Sequence, residues 1–276
     1  MTSPDRWFKA YAFDLDGTIY LGDRLLPGAA DAIRGLKSFS RVAYVTNKPL
    51  QTPADYASKL TRLGIETSPR DVISSTDALI RFLALRAPSA RLFVIGEPPL
   101  VRLLQLAGHP IAGDPDGVEF VVVAFDRGFS YRKLQVAFDA VSRGARLVAT
   151  NPDPFCPTPE GGLPDCAAML AAVEAATGVR AEAVVGKPSP HMAAAVLDRL
   201  GVPAGSVLMT GDRLATDIRM AKLAGMSSAL ILTGCPTLEE VQDSPDRPDY
   251  VLNSLAELLP AGMPDRPTYS TPILKR

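Results

Sequence analysis

Histidine and cysteine are nearly absent from this 276-residue chain, which holds two of the first and three of the second. His109 and His191 are too few, and too ordinary in position, to found a histidine-dependent triad or a zinc site. Cys156, Cys166 and Cys235 make no CxxC pair, and an odd, unpatterned set argues for reduced thiols over a disulfide framework. Long apolar runs are missing too, so no membrane span is expected. Met1 to Lys9 carries charge at Asp5, Arg6 and Lys9 and leads into no apolar stretch, so no signal peptide is expected and the reading is cytoplasmic. An excess of either charge is also lacking. With 29 Lys and Arg against 30 Asp and Glu, no global attraction draws nucleic acid or an anionic membrane, which leaves a small ligand as the expected partner. The chain has no GxxxxGK(S/T) loop, no GxGxxG fingerprint and no GxSxG elbow.

What is present is a hydrophobic fraction of 47% and a mean hydropathy of +0.11, enough for a packed core. Short β-branched or aromatic runs alternate with helical stretches, which predicts an α/β fold: a Rossmann-like, doubly wound parallel sheet with helices on both faces. The expected strands are Ala10 to Phe13, Val42 to Val45, Leu92 to Ile95, Phe120 to Ala124, Leu147 to Ala149, Ala183 to Val185, Val207 to Met209 and Ala229 to Leu232. Helical spacing marks Ala54 to Leu63, Pro190 to Leu200 and Met220 to Ala224. Over a hundred residues between the second and third polar strand ends carry their own strand and helix signals. They predict an inserted α/β domain over 79–182, a core of 1–78 and 183–262, and an irregular tail over 263–276.

Chemistry concentrates where strands end, the edge at which α/β sheets bind ligands. Asp14-Leu15-Asp16-Gly17-Thr18 follows the first strand and either caps it and starts a turn or sets two carboxylates side by side, which calls for a cation. Gly17 can supply a turn that a Cβ would resist. Gly211-Asp212-Arg213-Leu214-Ala215-Thr216-Asp217 follows a later strand and adds two more carboxylates, enough with Asp14 for an oxygen-only site of the kind Mg²⁺ takes. Asp217 also reads as a helix N-terminal carboxylate. Lys187, in Gly186-Lys187-Pro188, can neutralise phosphate charge or lie on the surface, and Thr46-Asn47 can donate to phosphoryl oxygens or make a turn.

In this order, DLDGT, VTN, GKP and GDRLATD resemble the four motifs of the haloacid dehalogenase superfamily. The segment with VVVAFDRGFSY, ATNPD and GGLP looks like the α/β cap of subfamily IIA, the group of NagD-like, p-nitrophenyl, phosphoglycolate and pyridoxal phosphatases. The resemblance implies a magnesium-dependent phosphatase of small phosphorylated metabolites, with Asp14 as nucleophile and Asp16 as general acid and base. It implies that Thr46 and Lys187 hold the phosphoryl oxygens. Mg²⁺ would be held by Asp14, the Asp16 carbonyl and Asp212, with Asp217 through water or the outer shell. Gly17, Asn47, Lys48, Asn151 and Asp153 would face substrate, although Asn151 and Asp153 can equally order a loop. The cap would close over the site and mediate a homodimer. Lys48 stands where many relatives have Asn, Cys156 near the position of a cap histidine, and Asp165-Cys166 where GLPGAG is usual. A phosphotransferase or phosphomutase using the same intermediate, and a silent phosphate-binding protein, remain alternatives.

Overall fold

The computed structural model describes residues 3–158, 161–233 and 237–259. Cys235 and the segment 263–276, with Pro264, Pro267 and Pro272, lie outside the described residues. The chain opens with strand β1 (Ala10–Asp14), a small hairpin of β2 (Tyr20–Leu21) and β3 (Arg24–Leu25), helix α1 (Ala29–Lys37), β4 (Arg41–Thr46), α2 (Pro53–Arg62), β5 (Val72–Ser74) and α3 (Ser75–Arg86). It continues through β6 (Leu92–Ile95), α4 (Pro98–Leu106), β7 (Phe120–Val123), α5 (Tyr131–Ser142) and β8 (Arg146–Ala149). A hairpin of β9 (Phe155–Thr158) and β10 (Gly161–Pro164) precedes α6 (Cys166–Thr177) and β11 (Ala183–Val184). The last elements are α7 (Pro190–Leu200), β12 (Val207–Gly211), α8 (Arg219–Leu223), β13 (Ser227–Ile231), α9 (Leu238–Asp243) and β14 (Tyr250–Leu252).

These elements fall into two compact units. The described residues of the first lie within Met1–Val45, Ala57–Val72 and Val196–Arg276; those of the second lie within Thr46–Tyr56 and Ile73–Ala195. A six-stranded sheet has the order β14-β13-β12-β1-β4-β5. From β1 the chain steps one way to β4 and β5, and from β12 it steps the other way to β13 and β14. The order therefore reverses between β1 and β12, which run parallel with Phe13 opposite Thr210. Such a reversal parts the connections on the two sides and leaves a crevice beyond the carboxyl ends of the two strands. All five residues of β1 are buried, as a parallel strand covered on both faces requires. Helix α1 buries Ala29, Ala32, Ile33 and Leu36, spaced on one helical face, and each larger side chain contributes about 1.5–3 kcal/mol by leaving water.

The second unit holds a four-stranded sheet of order β11-β8-β7-β6, parallel throughout, in which each connection moves one strand over. Runs such as Phe-Val-Val-Val in β7 are wholly buried. Ile95, Val121, Val123, Leu147, Ala149, Ala137, Ala140 and Val173 belong to one apolar cluster that joins this sheet to α5 and α6. Residues 79–182 all lie in this unit. Helix α3 begins in a reciprocal cap, with Asp77 accepting from the Ser74 amide at 2.9 Å.

The eight expected strands are all present, with ends shifted by at most two residues. The sequence reading passed over β2, β3, β5, β9, β10 and β14. They are two to four residues long, and the β9–β10 ribbon, with Pro157 facing Gly162, has no alternating pattern to find.

Candidate functional site

Strand β1 delivers Asp14 to its carboxyl end, where the side chain is 8% exposed. The chain then turns at once: the amides of Ile19 and Tyr20 return to the Leu15 carbonyl, and the Gly17 amide donates to the Tyr20 carbonyl at 2.8 Å. Asp16 sits in this turn, half-buried and bridged to Tyr20. The Gly17 carbonyl accepts from the Thr233 hydroxyl. Position 17 has φ +88°, a left-handed conformation, and a Cβ there would overlap the Asp212 carboxylate.

Asp212 directly follows β12 and is buried. After it the chain makes one wide π-type turn, Leu214–Ile218, which carries Asp217 back toward the strand end. The Asp217 amide donates to the Arg213 carbonyl at 3.1 Å, and its Oδ2 accepts the Arg213 amide at 3.2 Å. Any Cβ at Gly211 would overlap the Asp217 side chain, so glycine lets the acid lie against the strand end. Asp217 is fully buried, and one carboxylate oxygen from each of Asp14, Asp212 and Asp217 lies within 4.8 Å of the others. Three buried carboxylates so close repel one another, and a hard cation with oxygen ligands relieves that repulsion. The donor set therefore fits a metal ion. Asp16 contributes no carboxylate to this group.

A second constellation belongs to the other unit. Thr46 ends β4 and is buried, and its Oγ1 accepts the Lys48 amide at 3.2 Å. Asn47 is 7% exposed and Lys187 is 3% exposed. Asn47 Nδ2 donates to Asp153 Oδ2 at 3.0 Å and to the Lys187 carbonyl at 3.1 Å, while its Oδ1 accepts the Lys187 amide at 2.7 Å. Both hydrogens of the Asn47 amide are thus committed to protein partners, which favours the loop-ordering reading of this side chain over donation to a phosphoryl oxygen. Asn151, fully buried, donates to the Asn47 carbonyl at 3.2 Å and accepts the Asp153 amide at 2.9 Å, so it orders the loop. Lys48 and Asp153 are half-buried.

Asp165 caps α6 by accepting the Cys166 amide at 2.6 Å. Burial, and then the neighbouring Asp153 charge, push its carboxyl above the ordinary range, against the opposing pull of the Cys166 amide, Asn151 and Lys48. Cys166 donates to the Val123 carbonyl at 3.3 Å, and burial pushes its thiol up to about 11. Cys156 and Cys166 are buried thiols. The sequence reading missed Gly211 and Gly186 as cradles and Ser75 as the donor to the Asn47 carbonyl at 2.7 Å. Each carries only a local glycine or serine signal that any turn would share.

Comparison with known proteins finds similar hydrolases. A model described as haloacid dehalogenase-like hydrolase matches residues 11–109, and one described as HAD-hydrolase-like matches residues 184–258. The chain is 36% identical over 246 residues to the sugar-phosphatase AraL of Bacillus subtilis, covering 89% of this chain and 90% of that protein. Its fold is similar to the crystal structure of a 4-nitrophenylphosphatase from Thermotoga maritima, at TM-score 0.85 and 34% identity, covering 91% of this chain and 96% of that one. It is also similar, at TM-score 0.85 and 32% identity, to a glycerol phosphate phosphatase from Mycobacterium tuberculosis solved in complex with magnesium, covering 94% of this chain and 78% of that one. No helix among the described residues is long and apolar enough to cross a membrane.

Proposed function

The chain belongs to the haloacid dehalogenase-like hydrolases, in subfamily IIA with the p-nitrophenyl phosphatases, and on that premise we propose that it is a magnesium-dependent phosphatase of small phosphate monoesters. The names of its relatives support sugar phosphates, glycerol phosphate and p-nitrophenyl phosphate as the substrate class. The observation that carries the proposal is the trio Asp14, Asp212 and Asp217, gathered where the order of the sheet reverses.

In this reading an Asp14 carboxylate oxygen attacks phosphorus in line, the bond to the alcohol oxygen breaks, and an aspartyl phosphate forms. Asp16 gives its proton to the departing alkoxide. It then takes a proton from the water that attacks the phosphorus of the aspartyl phosphate, which releases inorganic phosphate and restores Asp14. Thr46 and Lys187 hold the transferring oxygens by hydrogen bond and charge. Mg²⁺, held by Asp14, Asp212 and the Asp16 carbonyl and supported by Asp217, supplies charge neutralisation when bound. Without a cation, Asp14 would share its surroundings with two further negative charges, and the approach of a phosphate dianion would be opposed.

The reading also carries substrate selection by residues 79–182, a homodimer through the same segment and a cytoplasmic setting. Light scattering of the purified protein tests the dimer. The function itself is tested by phosphate release from a panel of sugar phosphates, glycerol phosphate, phosphoglycolate and p-nitrophenyl phosphate, with and without Mg²⁺. Magnesium-dependent release is expected, and no release from any ester overturns the proposal.

A further inference from the structure

The Asn47 side chain commits its amide to Lys187 and Asp153. Its Oδ1 accepts the Lys187 amide at 2.7 Å; one Nδ2 hydrogen goes to the Lys187 carbonyl at 3.1 Å and the other to Asp153 Oδ2 at 3.0 Å. Turning the amide over would set N–H against N–H and oxygen against both a carbonyl and a carboxylate, so the partners dictate its orientation. Asn47 thus grips both polar groups of one residue's backbone, as a neighbouring strand would, across 140 positions of sequence.

The grip is itself anchored. The Asn47 carbonyl receives Ser75 Oγ at 2.7 Å and Asn151 Nδ2 at 3.2 Å. A Cβ at Gly186 would lie 2.6 Å from Asn47 Oδ1 and 2.5 Å from the Thr150 carbonyl, so the clamp closes only over a glycine. Asn47, Asn151 and Lys187 are all buried. In such a setting an unmade hydrogen bond is costly, and a made one fixes position.

We infer that Asn47 is a positioning residue, which fixes the backbone of Lys187 and is itself oriented by Asp153. The inference rests on the proposed function in one respect, that Lys187 meets a phosphoryl oxygen. A residue acting only through Lys187 is indifferent to the alcohol being released, since every phosphate ester presents the same phosphoryl group. A residue touching the alcohol part of the substrate is not.

The test compares Asn47→Asp, Asp153→Asn and the double variant on p-nitrophenyl phosphate and glycerol phosphate. In Asn47→Asp a second acceptor faces the Lys187 carbonyl and the Asp153 carboxylate. We expect kcat to fall on the order of 100-fold on both esters, with KM and the magnesium half-saturation near wild type. Adding Asp153→Asn returns a donor to that contact and should recover about tenfold. If Asn47→Asp does not fold, Asp153→Ala, which releases one amide hydrogen, should lower kcat about three- to tenfold on both esters alike. A rise in KM that differs between the two esters, with kcat retained, overturns the inference. So does a double variant no better than Asn47→Asp. Should the wild type release phosphate from neither ester, the proposed function falls and the inference with it.

Discussion

Gly17 lies so close to Asp212 that a Cβ at position 17 would sit 2.8 Å from the Asp212 Cγ. The turn after the first acidic strand and the acid after a distant strand therefore share one small space, and glycine is the residue that lets them.

Gly17→Ala should be damaging for two separate reasons. Its left-handed backbone costs a Cβ-bearing residue roughly 1–2 kcal/mol, and the methyl group displaces Asp212. We expect a loss of about 100-fold in kcat/KM with a raised magnesium requirement. Titration of activity against Mg²⁺ measures both, and an unchanged half-saturation would show that the Asp212 contact does not matter to the metal.

Asp14→Asn should fold normally and lose turnover by about 1,000-fold or more, because an amide oxygen is a poor nucleophile. Acid quench after brief mixing with labelled substrate should trap phosphate on the wild type and none on the variant. Turnover close to wild type in that variant would remove Asp14 from the mechanism.

Asp217→Asn should act on the cation more than on the chemistry. Its carboxylate shares the buried trio, and losing one such charge is expected to weaken magnesium affinity about 10- to 100-fold. Isothermal titration with MgCl₂ reads this directly. Activity recovered at high Mg²⁺ fits the assignment, and activity lost at every concentration does not.

Asp165 gives a stability prediction whose sign follows from burial. Its folded carboxyl titrates above the ordinary range, so the folded state favours the protonated form. That advantage is complete below the unfolded value, about pH 4, and is lost as pH rises through the raised folded value. Asp165→Asn keeps a capping side chain on α6 but does not titrate. Its melting temperature relative to wild type should therefore climb between about pH 4 and pH 7. A difference that stays flat across that window would contradict the assignment.

Cys166 should be inert toward thiol reagents in the native protein. Its side chain is fully buried, and a thiol at about 11 holds little thiolate at neutral pH. Peptide mapping after maleimide treatment should show modification at least about 100-fold slower than in denaturant.

The acidic strand ends were legible because chemistry there coincides with strong local patterns: a buried apolar run, then Asp14 or Asp212. Asp217 was harder, since a carboxylate a few residues past a strand looks the same whether it caps a helix or returns to the strand. Only the π-type turn decides between them. Asn47 was the least legible. In sequence, an amide after a strand does not reveal whether its hydrogens meet a ligand or the backbone of a residue 140 positions away. The doubly wound order followed from alternating elements, whereas β9 and β10 pair through backbone groups of a stretch rich in proline and glycine.

The reversal of strand order between β1 and β12 also sets a timetable for synthesis. Strand β1 leaves the ribosome early and finds β4 soon after, but its other neighbour is made only once the whole second unit has been translated. At about 5–20 residues per second, that flank of β1 waits on the order of 10–40 s for a partner. For that interval a strand that is wholly buried in the folded protein carries an open edge, and the nascent protein depends on chaperones, or on prompt folding of the inserted unit, to reach β12 without joining a neighbouring chain.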